Sequence, residues 1–304
     1  MLFISLPEYA FALDEADHDL SCYRISDEYT FSVTERPIVE CEARLISRVD
    51  QVFVLSPALL EKKGHLNPAT MWVPNGVDYA AYVTPHDEPD DLRSVPSPRI
   101  GYVGVIKDQL DVPLLIALAR RHTEWSFVLV GPRGMLRHSA ALLETLLGLP
   151  NVYWLGAKPL AALPAYVQHL DVCMLIYRVD GYTKFVYPLK LHAYLASGRP
   201  VVGAPIRTLE DFPEAVRLAR TPEDWSRAIR DLLAPDAVSP SRVEARRRIA
   251  RQHDWSGVVD MIAGRICEGL GPTHVERFEA VRRAMRGCTA PATAPVCGER
   301  TTPQ

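Results

Sequence analysis

From Arg99 onward one pattern repeats: a short run of β-branched and aromatic residues, a turn, then apolar residues at helical spacing. Residues 100–106 form the first run. Leu110, Leu114, Leu115 and Leu118 follow on one helical face, and residues 127–130 form the next run, closed by Gly131-Pro132. Strands alternating with helical patterns are the mark of βαβ units and a parallel sheet. The alternation continues with strands at 152–155, 172–176 and 200–202, separated by helical stretches at 142–147, 160–170 and 189–197. The strands are apolar throughout rather than alternating, as expected when helices cover both faces of a sheet. In such doubly wound sheets ligands bind beyond the carboxyl ends of the strands. The loops at 104–108, 131–134, 156–159 and 178–188 are therefore expected to ring one site.

Upstream, residues 3–6, 22–25 and 52–55 read as three further strands, so the first 82 residues are also α/β but too short for a full nucleotide-binding domain. Pro85, Pro89, Pro96 and Pro98 among acidic residues mark 83–98 as a linker. After residue 202 a brief strand is expected at 216–218. Thr221-Pro222-Glu223-Asp224 has the composition of a helix start: a Thr cap, Pro at the first position and two acids against the helix dipole. Further helices are expected at 242–252 and 255–268, and a weaker one from 271 to 286. The Thr-, Ala- and Pro-rich remainder to Gln304 has the composition of a disordered tail. The expected division is thus 1–82, a linker at 83–98, a main domain at 99–270, and a helix with tail at 271–304.

The bulk numbers narrow the function classes. The 34 Lys and Arg against 37 Asp and Glu leave a net charge of -3, too balanced for a nucleic-acid binder, so any basic site is local. The six cysteines show no CxxC pair and no interleaved histidines at metal-ligand spacing, which reads as reduced thiols without a metal. No apolar run approaches the roughly 18 to 20 residues of a membrane span. The Leu-Phe-Ile-Ser-Leu-Pro that follows Met1 reads as a strand rather than a signal peptide. A soluble, cytoplasmic protein is the expectation. Arg242, Arg246, Arg247, Arg248 and Arg251 form one basic stretch that offers peripheral contact with the inner face of a membrane, against the simpler reading of a solvated helix surface.

Two segments carry a family resemblance. Val73-Pro74-Asn75-Gly76-Val77-Asp78 stands just before the linker, and the run Tyr187-Pro188-Leu189-Lys190-Leu191-His192-Ala193-Tyr194-Leu195-Ala196-Ser197-Gly198-Arg199-Pro200-Val201-Val202 spans a helix and the following strand. Together with Ser56-Pro57, Gly101-Tyr102-Val103-Gly104, Val130-Gly131-Pro132 and the segment 151–156, in that order, they resemble the GT-B glycosyltransferases of the glycogen-synthase-like superfamily (family 4, or group 1, type). The resemblance implies two Rossmann-like doubly wound parallel-sheet domains, the N-terminal one incomplete. It further implies transfer of a hexose, with retention, from a nucleotide diphosphate sugar to a glycan or lipid-linked acceptor, with no cofactor and no metal. Physical chemistry agrees at one point: a helix amino end offers free N–H groups and partial positive charge to a diphosphate. The expected donor-binding residues are Gly104, Lys107, Gly131, Arg133, Lys158, Tyr187, Pro188, Leu189 and Lys190. Asp27 and Glu28 are expected in the cleft as acceptor or sugar contacts, and no side chain is assigned as the catalytic one.

The chain departs from the family pattern in three places. The glutamate on the donor helix that the family sets against the ribose is Ala193, and its partner eight residues earlier is Phe185. The basic residue after the first strand's glycine is Val105, with Lys107 near enough to substitute. The stretch before the linker is about half as long as the family's first domain, as a start codon placed too far downstream would produce. These departures keep a second function open: a non-catalytic nucleotide-sugar-binding or partner protein. A sugar-nucleotide epimerase fits the motifs less well.

Overall fold

The computed structural model describes residues 1–31 and 38–288, and it holds two separate parallel β-sheets. The first contains β1 (Leu2–Ile4), β2 (Ser21–Ile25), β3 (Gln51–Val54) and β4 (Thr70–Trp72), paired in that spatial order. Strand β4 is the one the sequence pattern missed, because Thr70-Met71-Trp72 is a half-exposed edge strand and not a β-branched apolar run. Right-handed crossovers to successive neighbours all leave from the same side of a sheet. Accordingly, Leu45 and Ile46 of the helix Ile38–Arg48 and Leu59 of the helix Pro57–Lys63 share one core with Ile4, Tyr23, Ile25, Val52 and Val54.

The opposite face of that sheet, with Cys22 and Phe53, needs a cover from elsewhere. The helix Trp255–Leu270 supplies it: Val258, Ile262 and Ile266 pack with Leu20, Cys22, Phe53 and Val73. This helix, grouped by sequence with the second domain, packs under the first sheet because its apolar stripe finds an uncovered parallel sheet there.

The second sheet contains β5 (Arg99–Val103), β6 (Ser126–Val130), β7 (Val152–Trp154), β8 (Val172–Leu175), β9 (Val201–Gly203) and β10 (Val216–Leu218). Its spatial order is β10-β9-β8-β5-β6-β7, all parallel. The chain runs outward from β5 to β7 and then returns to build β8 to β10 on the other side. The reversal falls between β5 and β8, which pair only through Ile100 with Val172 and Gly101 with Cys173. One residue pair further on, the Val103 N–H donates instead to Tyr194 Oη at 2.8 Å. That phenol belongs to the helix Leu189–Ala196, and such a reversal of strand order is where a doubly wound sheet has its crevice, beyond the carboxyl ends of the strands.

Segment 83–98 is packed rather than loose, with Leu92 and Val95 buried in the core of the second sheet. The expected cap is present: Thr221 and Asp224 form a reciprocal box at the start of the helix Pro222–Leu232. The last helix runs Pro272–Cys288, and the tail expected beyond it lies outside the described residues. Cys22, Cys41, Cys173 and Cys267 are free thiols. Among the described residues no helix is long and apolar enough to cross a membrane.

Candidate functional site

At the carboxyl end of β5 the backbone turns through Gly104, whose φ of +153° and position leave no room for a side chain: a Cβ there would stand 2.6 Å from Lys190 Cε. Gly131, at the end of β6, has a φ of +144°, and a Cβ on it would lie 2.1 Å from the Gly104 carbonyl oxygen. The two glycines let adjacent loops close on each other, so that Lys190 lies across the strand end. Its ammonium donates to Tyr177 Oη at 3.0 Å and sits 4.9 Å from the centre of the Tyr102 ring and 5.5 Å from that of Tyr177. These tyrosines lie on or just past the ends of β5 and β8, the two strands that part at the crevice. The aromatic faces hold the cation without neutralising it.

The helix Leu189–Ala196 starts beside this point. Pro188 caps it with no side-chain hydrogen bond, and Leu189 is largely exposed. The first N–H groups of the helix are therefore open to a ligand. Its position is fixed from below by the segment that the sequence marked as VPNGVD. Asn75 is buried and donates from Nδ2 to the Tyr187 carbonyl at 3.0 Å. The Val77 N–H donates to the His253 carbonyl at 2.9 Å, and Asp78 caps the following helix through the Ala81 N–H at 3.1 Å. More than a simple turn, the motif clamps the chain entering the helix Leu189–Ala196.

Other expected residues divide sharply. Lys107 is half-buried near the crevice, and its ammonium is held below the usual lysine range by burial and by the charge of Lys190, with Asp27 opposing. Asp27 comes from the loop after β2, across the cleft, where it accepts from Tyr182 Oη at 3.0 Å. Glu28, by contrast, is 1% exposed and belongs to the interior: it lies 3.1 Å from Lys62 Nζ and 3.4 Å from Lys63 Nζ, and accepts the Thr30 N–H. Its expected contact with acceptor or sugar is corrected on that ground. Arg133 is turned to Glu144 at 2.9 Å, and Lys158 is held by Asp91 and the Tyr166 ring. Each is met by a carboxylate, Arg133 in an exposed surface pair and Lys158 by a residue 67 positions away. Tyr187 is buried as well, its hydroxyl bound to His192 at 2.8 Å.

The basic stretch 242–251 is divided: Arg246 and Arg247 serve the fold, whereas Arg242, Arg248 and Arg251 are exposed. Arg246 is buried and donates to the carbonyls of Gly198 and Ala237, Arg247 donates to the Ala196 carbonyl, and Arg242 pairs with Asp236. Arg251 donates to Tyr79 Oη.

Ala193 lies one turn past Lys190, buried in the core of the second sheet, and Val105 is exposed. Phe185 departs in a different sense: its ring joins the core of the first sheet, near Phe31 and under Lys62. Sequence reasoning did not find Tyr102 and Tyr177 as the seat of Lys190. The available signal was their place at two strand ends, but which ends adjoin is set by strand order. A cavity of about 1040 Å³ lies elsewhere, between Ala69–Met71 and the last two helices. Its charged groups are paired with one another, Arg282 with Asp260 and Glu279 and Arg265 with Glu268.

Two parallel sheets, the second with a strand reversal beside an uncapped helix start and a lysine, define a GT-B type fold. Residues 97–235 match the family of glycosyl transferases group 1. It is 31% identical over 233 residues to TuaH, the proposed teichuronic acid biosynthesis glycosyltransferase of Bacillus subtilis (strain 168). That match covers 72% of this chain and 57% of TuaH, so the chain spans little more than half of this relative. Solved structures share the fold at lower identity. The UDP-forming α,α-trehalose-phosphate synthase of Burkholderia xenovorans, in complex with glucose-6-phosphate, superposes with a TM-score of 0.70 at 12% identity, over 87% of this chain and 72% of that one. TarM of S. aureus, solved with fondaparinux, α-GlcNAc-glycerol and UDP, gives 0.60 at 14% identity, over 89% and 55%.

Proposed function

We propose that this chain carries the donor site of a glycosyltransferase, which moves a hexose from a nucleotide diphosphate sugar to a glycan or lipid-linked acceptor with retention of configuration. One observation carries the reading. Lys190 and Lys107 stand at the crevice between β5 and β8 with no ion-pairing carboxylate within 4 Å among the described residues, beside a helix start whose N–H groups are uncapped. Two unneutralised ammoniums that also repel each other are costly unless an anion joins them. The similarity to TarM and to the trehalose-phosphate synthase favours a UDP sugar as that anion.

In the reaction the bond between the sugar's anomeric carbon and the diphosphate breaks, and the electron pair passes to the phosphate oxygen. The acceptor hydroxyl forms the new bond on the same face, and its proton passes to the departing phosphate oxygen. Negative charge grows on the leaving diphosphate, where Lys190, Lys107 and the N–H groups of Leu189 and Lys190 stabilise it. The reading places the protein in the cytoplasm, where it uses no cofactor and meets no nucleic acid. Ala193 offers no carboxylate to the ribose, which predicts donor affinity weaker by about one to two powers of ten than in relatives that have one. Calorimetry with UDP, GDP and ADP, followed by transfer assays with the matching sugars, tests the proposal. A nucleoside diphosphate should bind more tightly than about 1 mM and its sugar should be turned over. No binding of any of the three removes the donor site, and binding without turnover leaves the non-catalytic reading.

A further inference from the structure

His192 lies on the helix Leu189–Ala196, two residues past Lys190, and is fully enclosed. Its Nε2 is 2.8 Å from Tyr187 Oη, and its ring stacks on His253 at 3.8 Å between centroids and 15° between planes. Phe212 stands edge-on to both rings. The buried Nδ1 of His192 has no hydrogen-bond partner. A buried lone pair left unmet costs less than a buried N–H left unmet, so this inventory assigns the proton to Nε2, which donates to Tyr187 Oη. His253 Nδ1 donates to the Ile249 carbonyl at 3.0 Å. Both imidazoles are thereby accounted for in their neutral forms.

The pair sits where the chain crosses between the two sheets in both directions. The outgoing crossing passes Asn75, which holds the Tyr187 carbonyl, and Val77, whose N–H donates to the His253 carbonyl. The returning crossing passes His253 and Asp254, whose carboxylate accepts the Tyr79 and Ser256 N–H groups. We propose that His192 and His253 are positioning residues: their neutral stack locks the start of the donor helix to both crossings, and protonation of either ring releases it. This rests on the donor site proposed above. The sign is distinctive. Added positive charge close to a diphosphate site would ordinarily tighten binding, whereas release of the helix weakens it.

The charged and titratable surroundings are few. Tyr187 faces Nε2, with Asp211 on the following turn acting on it; Asp254 is occupied as described, and Arg251 is turned to Tyr79 and Glu244. No carboxylate is bonded to either ring. Burial and the neighbouring imidazole push His192 well below the usual histidine range, and burial pushes His253 down, with the Ile249 carbonyl opposing. A base depressed in the fold stabilises it above its unfolded value near 6.5, and that stability is lost as pH falls below it, because the unfolded chain takes protons that the fold refuses. Each such histidine raises the unfolding constant by up to about tenfold per pH unit in that window.

The experiment compares the full chain with His253→Phe, which keeps a stacked ring and removes one titration. Between pH 6.5 and 5 the acid limb of stability should become shallower in the variant by up to about tenfold per pH unit in unfolding constant. The affinity for whichever of UDP-glucose, GDP-mannose or ADP-glucose binds at pH 7.5 should hold to lower pH in the variant; these diphosphate diesters do not themselves titrate there. Imidazole proton resonances of the unmodified protein, which need no variant, should show two histidines that stay neutral at pH values where an ordinary histidine is protonated. Ordinary titration of all histidines near 6.5 overturns the proposal, as does an acid limb or an affinity profile that runs parallel in both proteins. If no nucleotide sugar binds at any pH, the donor assignment falls, and the positioning role with it. The resonances and the acid limb then report on the stack alone.

Discussion

Replacing Lys190 with methionine keeps an unbranched stem against Tyr102 and Tyr177 and removes the ammonium. The Coulomb energy between that ammonium and a diphosphate oxygen at about 4 Å is about 4 kcal/mol at an effective dielectric of 20, an upper limit for a half-open crevice. Hydrogen bonds to charged groups contribute about 1.5 to 3 kcal/mol net, and Lys107 remains to supply part of the field. Donor affinity should therefore fall by roughly ten- to a hundred-and-fifty-fold. The fold should lose little, about 1 kcal/mol or less, since what disappears is one hydroxyl contact and an exposed-edge cation–π interaction. Calorimetric titration with the nucleoside diphosphate at two salt concentrations, with thermal unfolding as the control, measures both effects. The salt dependence should also become shallower as one charge leaves the site. A dissociation constant within threefold of the unmodified protein, with unchanged salt dependence, would refute the placement of Lys190 at the diphosphate.

Gly104→Ala should damage the site from the other side: the added Cβ meets Lys190 Cε and the backbone conformation suits glycine, so affinity should fall together with about 1 to 3 kcal/mol of stability, read by calorimetry and denaturant unfolding. Burial alone would raise the Glu28 carboxyl, but Lys63, the Thr30 N–H and Lys62 outweigh it and hold the group below the usual range. A depressed acid stabilises the fold above its unfolded value near 4.5 and loses that contribution as pH falls through the folded value, so Glu28→Gln should flatten the stability profile below pH 4.5. An acid limb unchanged by the substitution would mean the pair is not formed. Arg246→Ala strands the Gly198 and Ala237 carbonyls and should cost about 3 kcal/mol in urea unfolding, with no change in pelleting with anionic vesicles.

The second sheet was legible because strands buried on both faces must be continuous apolar runs, and the runs at 127–130 and 172–176 stand out from the helical spacing between them. The start of the helix Leu189–Ala196 was legible for a similar local reason, the break at Pro188 followed by helical apolar spacing. Strand β4, a half-exposed edge strand, lacked the apolar run that marked the others, and the helix Trp255–Leu270 advertised an apolar stripe without saying which sheet it would cover.

Charged residues in the site show the division most clearly. Lys107, Arg133, Lys158 and Lys190 are all basic residues in loops or at a helix start at the same end of one sheet, and nothing local separates them. Their fates depend on Glu144 and Asp91, which reach Arg133 and Lys158, and on the absence of such a partner beside Lys190. The stack of His192 on His253 likewise joins residues far apart in the chain. Periodicity and backbone propensity are properties of neighbours along the sequence, so the sequence by itself determined the elements, the parallel sheet and the helix start aimed at a ligand. Strand order and ion pairing are properties of neighbours in space, so only the tertiary structure decided where the crevice opens and which lysines are left to fill it with charge.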